Sequence, residues 1–246
     1  MIILPFVILY EDDLVVVINK PPGILVHRTR LSEDKVFVLQ LLRDQLGGMH
    51  LYPAHRLDRA TSGVLVFAKD PVTAGWLGER LMSKEWEKKY LAVVRGFIKE
   101  KEGIIDYALT DPETGKHEPQ SAITRYRTLQ ESEMPWPIGL RYPTARFSLM
   151  EMIPETGRRQ QIRKHLGHIR HPIVNDTQHG DIKINKWFKI NQLPDRIMLH
   201  ALELTLPHPQ LEKPLCLRAP LDERFKAVLQ MITMEVPEDP QGKIIR

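Results

Sequence analysis

A nine-residue stretch, His55-Arg56-Leu57-Asp58-Arg59-Ala60-Thr61-Ser62-Gly63, sets six polar side chains directly before an apolar run. Asp58 stands between Arg56 and Arg59, whose positive charge favours its ionised form. A carboxylate needs no partner base to act as a nucleophile, unlike a serine or threonine hydroxyl, so one Asp in a cationic loop suffices for covalent chemistry. The same residues also suit a plain structural role, with Asp58 as an Asx-turn or capping residue beside solvated arginines. A phosphatase built on paired aspartates is discounted, because Ala60 stands where the second Asp would be.

The second stretch is Thr156-Gly157-Arg158-Arg159-Gln160-Gln161-Ile162-Arg163-Lys164-His165. From Thr156 through Asn175 the chain carries five Lys or Arg and three His but no acidic residue. With Gln160 to Ile169 helical, Ile162, Leu166 and Ile169 turn to the core, while Arg159, Arg163 and Arg170 lie around a more polar side. Arginines so placed contact phosphates, pair bidentately with a carboxylate, or cover a solvated face. His165, His168 and His171 raise the question of a metal. Helical zinc pairs usually sit four residues apart with an acid nearby, however, and Pro172 follows at once, so no metal is expected. No glycine-rich phosphate loop with its lysine is present, so no nucleotide cofactor is expected either. Spacing leaves a paired-carboxylate glycosidase open, since its two acids can come from anywhere in a chain.

The elements that must position these groups follow from periodicity and breakers. Val7 to Tyr10 and Leu14 to Asn19 read as paired strands, the second ended by Lys20-Pro21-Pro22-Gly23. A helix capped by Ser32 carries Val38, Leu41, Leu42 and Leu46 and stops at Gly47. Gly63 to Lys69 is a strand, and Asp70-Pro71 opens a helix running to about Met82. Tyr90 to Arg95, Ile104 to Leu109 and Ser121 to Leu129 read as further strands. Glu131 to Pro143 holds three prolines and reads as a long connection that could separate two sub-lobes. Beyond it come a strand at Ala145 to Ile153, a short helix marked by Ile162, Leu166 and Ile169, a buried strand at Met198 to Leu206 and a closing helix at Asp222 to Ile232. Strands interrupted irregularly by helices favour an α+β fold.

Composition sets the bounds. The 246 residues, 42% of them hydrophobic, suffice for a sizeable core, and 35 Lys and Arg against 31 Asp and Glu give a formal charge of +4. That excess permits an anionic partner without requiring one. Cys216 is the single cysteine, which rules out an internal disulfide and favours a reducing compartment, the cytoplasm. The N-terminus has no basic region before its apolar residues, and no apolar run approaches a membrane span, so neither signal peptide nor membrane anchor is expected.

The loop at Asp58, continuing to Ala68-Lys69, resembles the catalytic motif of the RluA-type pseudouridine synthases. Four further elements fall in that family's order: Asn19-Lys20-Pro21-Pro22-Gly23, Lys88-Lys89-Tyr90 with Val94-Arg95-Gly96, Thr156-Gly157-Arg158 with Gln161-Ile162-Arg163, and Leu199-His200-Ala201 running to His208-Pro209. They span roughly residues 8 to 209, and five ordered motifs are far more specific than one. Two positions depart from the family pattern: Gln160 replaces the usual His and Arg159 the usual Thr. Because the chain begins at the first expected strand, the resemblance implies one catalytic domain over residues 1–246 without a separate N-terminal RNA-binding domain.

What this resemblance implies is a mixed, mostly antiparallel sheet flanked by helices, with a catalytic cleft between two sub-lobes. The implied reaction isomerises uridine to pseudouridine in RNA, with no cofactor and no metal. Asp58 would be the nucleophile, Arg163 its ion-pair partner, and Tyr90 would pack on the uracil or help remove its C5 proton. Arg56 would fill the space left by the extruded base, and Lys20 and Arg158 would hold the RNA backbone. His55, Thr61, Leu199 and His200 would complete the substrate pocket. Leu25-Val26-His27-Arg28 and the stretch from Asn175 to Asp181 look most like members that modify a uridine in the acceptor-stem region of transfer RNA. Ribosomal-RNA members are the alternative within the family, and a non-enzymatic RNA-binding or chaperone-like protein the alternative outside it. A monomer is expected.

Overall fold

In a computed structural model, the structure describes residues 5–28, 35–111, 115–138 and 142–237. The first hairpin joins β1 (Val7–Glu11) to β2 (Val15–Lys20) through an Asx turn in which the Asp12 carboxylate accepts the N–H groups of Leu14 and Val15 at 2.9 and 2.8 Å. The chain then forms α1 (Val38–Gln45), β3 (Tyr52–Pro53), β4 (Ser62–Ala68), α2 (Pro71–Met82) and β5 (Glu87–Arg95). Next come β6 (Glu102–Asp106), β7 (Leu109–Asp111), β8 (Lys116–Gln120), β9 (Ile123–Met134) and β10 (Ala145–Pro154). The remainder supplies α3 (Gln161–His168), α4 (Ile182–Ile190), β11 (Leu199–Leu206), β12 (Leu215–Arg218) and α5 (Glu223–Met231).

One sheet runs in the order β1-β2-β4-β11-β5-β10-β9-β6, with β3 added beside β4 and β12 beside β11, while β7 and β8 form a hairpin of their own. Every pairing in the sheet is antiparallel except β4 with β11, which meet in parallel over His200 with Ser62 and Ala201 with Gly63. Gly63 makes this join possible. Its φ is +114°, and a β-carbon there would stand 2.1 Å from the carbonyl oxygen of Ala201, so no other residue fits. The α+β class holds.

Strand alternation explains the cores. Along β2, Val16 and Ile18 face α1 with Leu65, Phe67, Val38 and Leu42, whereas Val15 and Val17 face α2 with Val64, Val66 and Leu77. β4 is buried along its whole length because helices cover both faces. A larger cluster packs β5 and β10 against Ile162 and Leu166 of α3, Phe188 of α4, and Phe225, Val228 and Leu229 of α5.

Several boundaries differ from expectation. Ser32 lies outside the described residues, and α1 begins at Val38 with no side-chain cap from Phe37. Glu131 to Pro143 is not one long connection: β9 continues to Met134, paired there with Ala145, because the three prolines all fall after the strand has ended. The sheet is therefore unbroken where a division was expected. The stretch from Ile104 to Leu109 splits between β6 and β7, and α4 and β12 were not anticipated. The Asp70 cap is as expected, its carboxylate accepting the Thr73 N–H at 2.9 Å at the start of α2.

Candidate active site

The loop before β4 is held from behind. Lys20, fully buried at the end of β2, donates from Nζ to the carbonyl oxygens of Pro21, Arg59 and Thr61 at 2.9, 3.2 and 2.8 Å, which uses all three ammonium protons. Gly23 N–H donates to the Arg59 carbonyl at 2.8 Å, Thr61 N–H donates to the Asp58 carbonyl at 3.1 Å, and the Leu57 side chain is buried. The turn so fixed carries the Asp58 side chain out over the sheet. Burial brings the Lys20 ammonium down to about 7, an effect that the charge of Asp58 opposes.

A second buried layer continues from there. His200 donates from Nε2 to the Ala219 carbonyl at 3.1 Å, so its Nδ1 accepts the Ser62 hydroxyl proton at 2.7 Å. Ser62 in turn accepts from Arg196 Nη2 at 2.8 Å, and Arg196 also pairs with Asp222, the cap of α5. Burial lowers the His200 imidazole to about 4, so it is neutral. Lys20 and His200 thus sit behind the loop rather than against a ligand. The phosphate contact expected of Lys20 and the pocket contact expected of His200 give way to structural duties, since their polar atoms are already occupied by the protein.

Arg163 enters from α3. Its Nη1 donates to Asp58 Oδ2 at 3.3 Å, but its stronger pairing is elsewhere: Nε and Nη2 form a fork on the two oxygens of Asp176 at 2.7 and 2.8 Å. Nη2 also reaches Gln178 Oε1 at 3.0 Å. Asp176 is buried and accepts the N–H groups of Gln178 and His179 as well. Burial alone would raise its carboxyl; the fork and the two N–H groups outweigh it and hold Asp176 below the usual range. Burial opposes the charge on Arg163 too, yet Asp176 and then Asp58 raise it above its ordinary value. The guanidinium is a permanent cation aimed at Asp58 by a second carboxylate.

That second carboxylate was not read from the sequence. It follows Asn175, which has a φ of +61°, and its loop is tied down by Asn185 of α4, whose Nδ2 donates to the Asp176 carbonyl at 2.8 Å. α3 is registered just as firmly. The buried Gln161 accepts from Thr156 Oγ1 and Arg158 N–H at 2.7 and 3.0 Å and donates to the Ile123 carbonyl at 2.9 Å. Gln160 adopts the left-handed region and bonds Gln178 and His179 at 2.6 and 2.9 Å.

These groups border a cleft of about 760 Å³, room enough for a nucleoside. One side is the loop from His55 to Thr61 with the end of α2; the other is the β7–β8 hairpin, the turn from Pro154 to Gln160, and α3; Tyr90 and Leu199 line it from β5 and β11. Asp58, Tyr90 and Arg163 therefore meet at one place, with Arg56, Thr61, Arg158 and Leu199 in the walls. His55 is also there, but its Nε2 accepts the Val66 N–H at 3.2 Å and its ring meets Trp86 edge-on. Burial, with a smaller push from Lys88, lowers it to about 3, so it is a neutral strut. Burial and then the charge of Asp58 push the Tyr90 phenol well above its ordinary value, which suits it to packing as a protonated ring rather than to accepting a proton.

Six cationic residues line the cleft, Arg56, Lys84, Lys88, Arg158, Arg159 and Arg163, against the acids Asp58, Asp111 and Glu155. Each of those acids has a cationic partner, Asp58 in Arg163 at 3.3 Å, Asp111 in Arg159 at 3.2 Å and Glu155 in Arg125 at 2.9 Å. The opening favours a polyanion. The histidines His165, His168 and His171 diverge: His165 reaches the Tyr107 carbonyl, His168 stacks on the Tyr107 ring at 3.6 Å, and His171 reaches the Arg95 carbonyl.

The chain is similar to known proteins over most of its length. Residues 14–168 match the RNA pseudouridylate synthase family, a segment that contains Asp58, Tyr90 and Arg163 and ends before Asp176. The chain is 46% identical over 232 residues to tRNA pseudouridine synthase C of Vibrio cholerae, covering 90% of this chain and 93% of that one. It is 44% identical to the protein of the same name from Haemophilus influenzae, covering 93% and 98%. The protein of that name from Pectobacterium carotovorum is 47% identical over 90% of this chain, which spans only 61% of its length. Among solved structures, human RNA pseudouridylate synthase domain containing 4 superposes with a TM-score of 0.74 at 28% identity, covering 94% of this chain and 95% of that one. The human domain containing 1 protein, at 0.65 and 23% over 95% and 97%, shares the fold.

Proposed function

The chain belongs to the RNA pseudouridylate synthase family, and we propose that it converts uridine 65 of transfer RNA to pseudouridine, with Asp58 as the nucleophile. The choice of transfer RNA is supported by the relatives from Vibrio cholerae and Haemophilus influenzae, whose names state that substrate. The observation that carries the role of Asp58 is its meeting with Arg163 inside a cleft of nucleoside size.

In this reading the N1–C1′ bond of uridine breaks, the freed ring turns, a C5–C1′ bond forms, and the proton lost from C5 is balanced by one gained at N1. Nothing is oxidised or hydrolysed, so the isomerisation draws on protein side chains alone. Asp58 attacks either ribose C1′ or uracil C6, and in both routes Arg163 aims the carboxylate. A stem uridine must first leave its stack, at a cost of a few kcal/mol, and Arg56 in the cleft wall occupies the vacated place. Tyr90 and Leu199 pack on the uracil. Arg158 holds backbone phosphate, giving salt-dependent binding. The chain acts as one catalytic unit, a monomer of the cytoplasm; among the described residues no helix is long and apolar enough to cross a membrane.

The deciding experiment maps pseudouridine in total RNA from cells lacking the protein and repeats the reaction with purified protein under single-turnover conditions. Loss at one transfer-RNA position, restored in vitro, is expected. Loss at a ribosomal position instead moves the substrate to ribosomal RNA, and RNA binding without product leaves a binding protein.

A further inference from the structure

Trp86, Lys88 and Tyr90 stand at alternate positions as the chain enters β5, so their side chains leave the same face of the sheet, and all three line the cleft. Lys89, between them, faces the other way, where its ammonium meets Glu203 at 2.8 Å and Glu87 at 3.6 Å. Lys88 has no such neighbour: among the described residues no carboxylate lies within ion-pairing distance of its Nζ. Burial is the one influence that disfavours its charge, and no acid offsets it. The neighbouring His55 ring is neutral and committed to β4, so it supplies no counter-charge. A half-buried ammonium on the strand face it shares with Trp86 and Tyr90, in a cleft that admits a nucleoside, has no counter-anion from the protein.

We propose that Lys88 is a substrate-binding residue that pairs with a phosphate adjoining the extruded uridine, on the strand that also presents Tyr90 to the base. Such a nucleotide carries a phosphate on each side of its ribose. A cation two residues from the ring that packs on the base therefore fixes the nucleotide by its backbone while Tyr90 fixes it by its face. Arg56 and Arg158, also in the cleft walls, would then contact more distant phosphates along the RNA.

This inference rests on the pseudouridine-synthase reading, and the test separates the two. A stem-loop RNA with the target uridine is prepared with a neutral methylphosphonate at either flanking phosphate. Its dissociation constant is measured with wild type, Lys88→Met and Lys88→Arg, and wild-type turnover of the unmodified RNA is followed in parallel. At low salt Lys88→Met is expected to weaken binding about tenfold and lower the salt slope by roughly one phosphate, while Lys88→Arg retains most of the affinity. One of the two methylphosphonates should weaken wild type by a similar factor and have no further effect on Lys88→Met. Losses that multiply at both positions overturn the pairing, as does a wild type insensitive to both methylphosphonates, whatever the folding of Lys88→Met. Absence of wild-type turnover on every uridine-containing RNA overturns the broader reading instead.

Discussion

On the cleft side of the loop, Asp58 leaves a fifth of its side chain exposed and is touched by one guanidinium N–H at 3.3 Å. On the far side, Lys20, Ser62, His200 and Arg196 are buried, and their polar atoms spend themselves on backbone carbonyls and on each other. The two regions share one short loop, Ser62 lying four residues after Asp58, yet they differ in what remains available. Groups behind the loop are saturated, so removing one should cost stability. The group in front is undersupplied with partners, so removing it should cost chemistry and little else. Arg163 straddles the two, with a buried fork on Asp176 and a single long bond to Asp58.

The largest effect expected is from Asp58→Asn, which should cut single-turnover pseudouridine formation by roughly four orders of magnitude while leaving the thermal midpoint and RNA affinity near wild type. A matching loss of stability would erase the distinction between front and back. Asp176→Asn strands the Arg163 charge in the interior; denaturant titration should show about 3–5 kcal/mol of lost stability, with turnover reduced as well. A fully stable Asp176→Asn protein would mean that the fork does not hold α3 in place. Arg163→Lys keeps the charge but loses the planar fork, and about a hundredfold drop in kcat is expected, with affinity for RNA less affected. Near-normal kcat would detach Arg163 from the aiming of Asp58.

The smallest effect concerns pH. Between 6.5 and about 4 the His200 imidazole takes a proton in the unfolded chain but not in the folded one, so acidification favours unfolding. Moving from pH 7.5 to 5 should lower the folding free energy by about 2 kcal/mol through this group, with His55 adding in the same direction. His200→Asn should flatten that slope. An unchanged slope would indicate that the layer behind the loop is wetter than its burial implies.

Much of the front was legible in the sequence. Asp58 and Arg163 stand out in polar runs that strand and helix periodicity places, whereas Tyr90 and the pairing of Asp58 with Arg163 come from the resemblance to the RluA-type motifs. Asp176 was not legible as a partner of Arg163. It belongs to a different turn, reached through a left-handed Asn175, and the basic segment before it contains no acid to suggest a pairing. The duties of Lys20 and His200 were hidden for a related reason: composition shows a cation or an imidazole, whereas burial decides whether its protons face a ligand or a carbonyl. In the fold, α4 was missed although Asp181 caps it by accepting the Lys183 and Ile184 N–H groups at 2.8 and 3.1 Å. Its apolar residues include the exposed Ile182 and Ile190, which blur the stripe that periodicity needs. β9 outran expectation because polar residues on its open face mask a twelve-residue strand that pairs with β10 at ten positions.

β11 is drawn from near the end of the chain, yet it lies between β4 and β5, which are made much earlier. During synthesis those two strands wait with unpaired edges until Leu206 has cleared the ribosome and this late-made strand can slot between them. A product that stops before Leu199 contains the three residues of the catalytic proposal and still has no floor on which they can assemble.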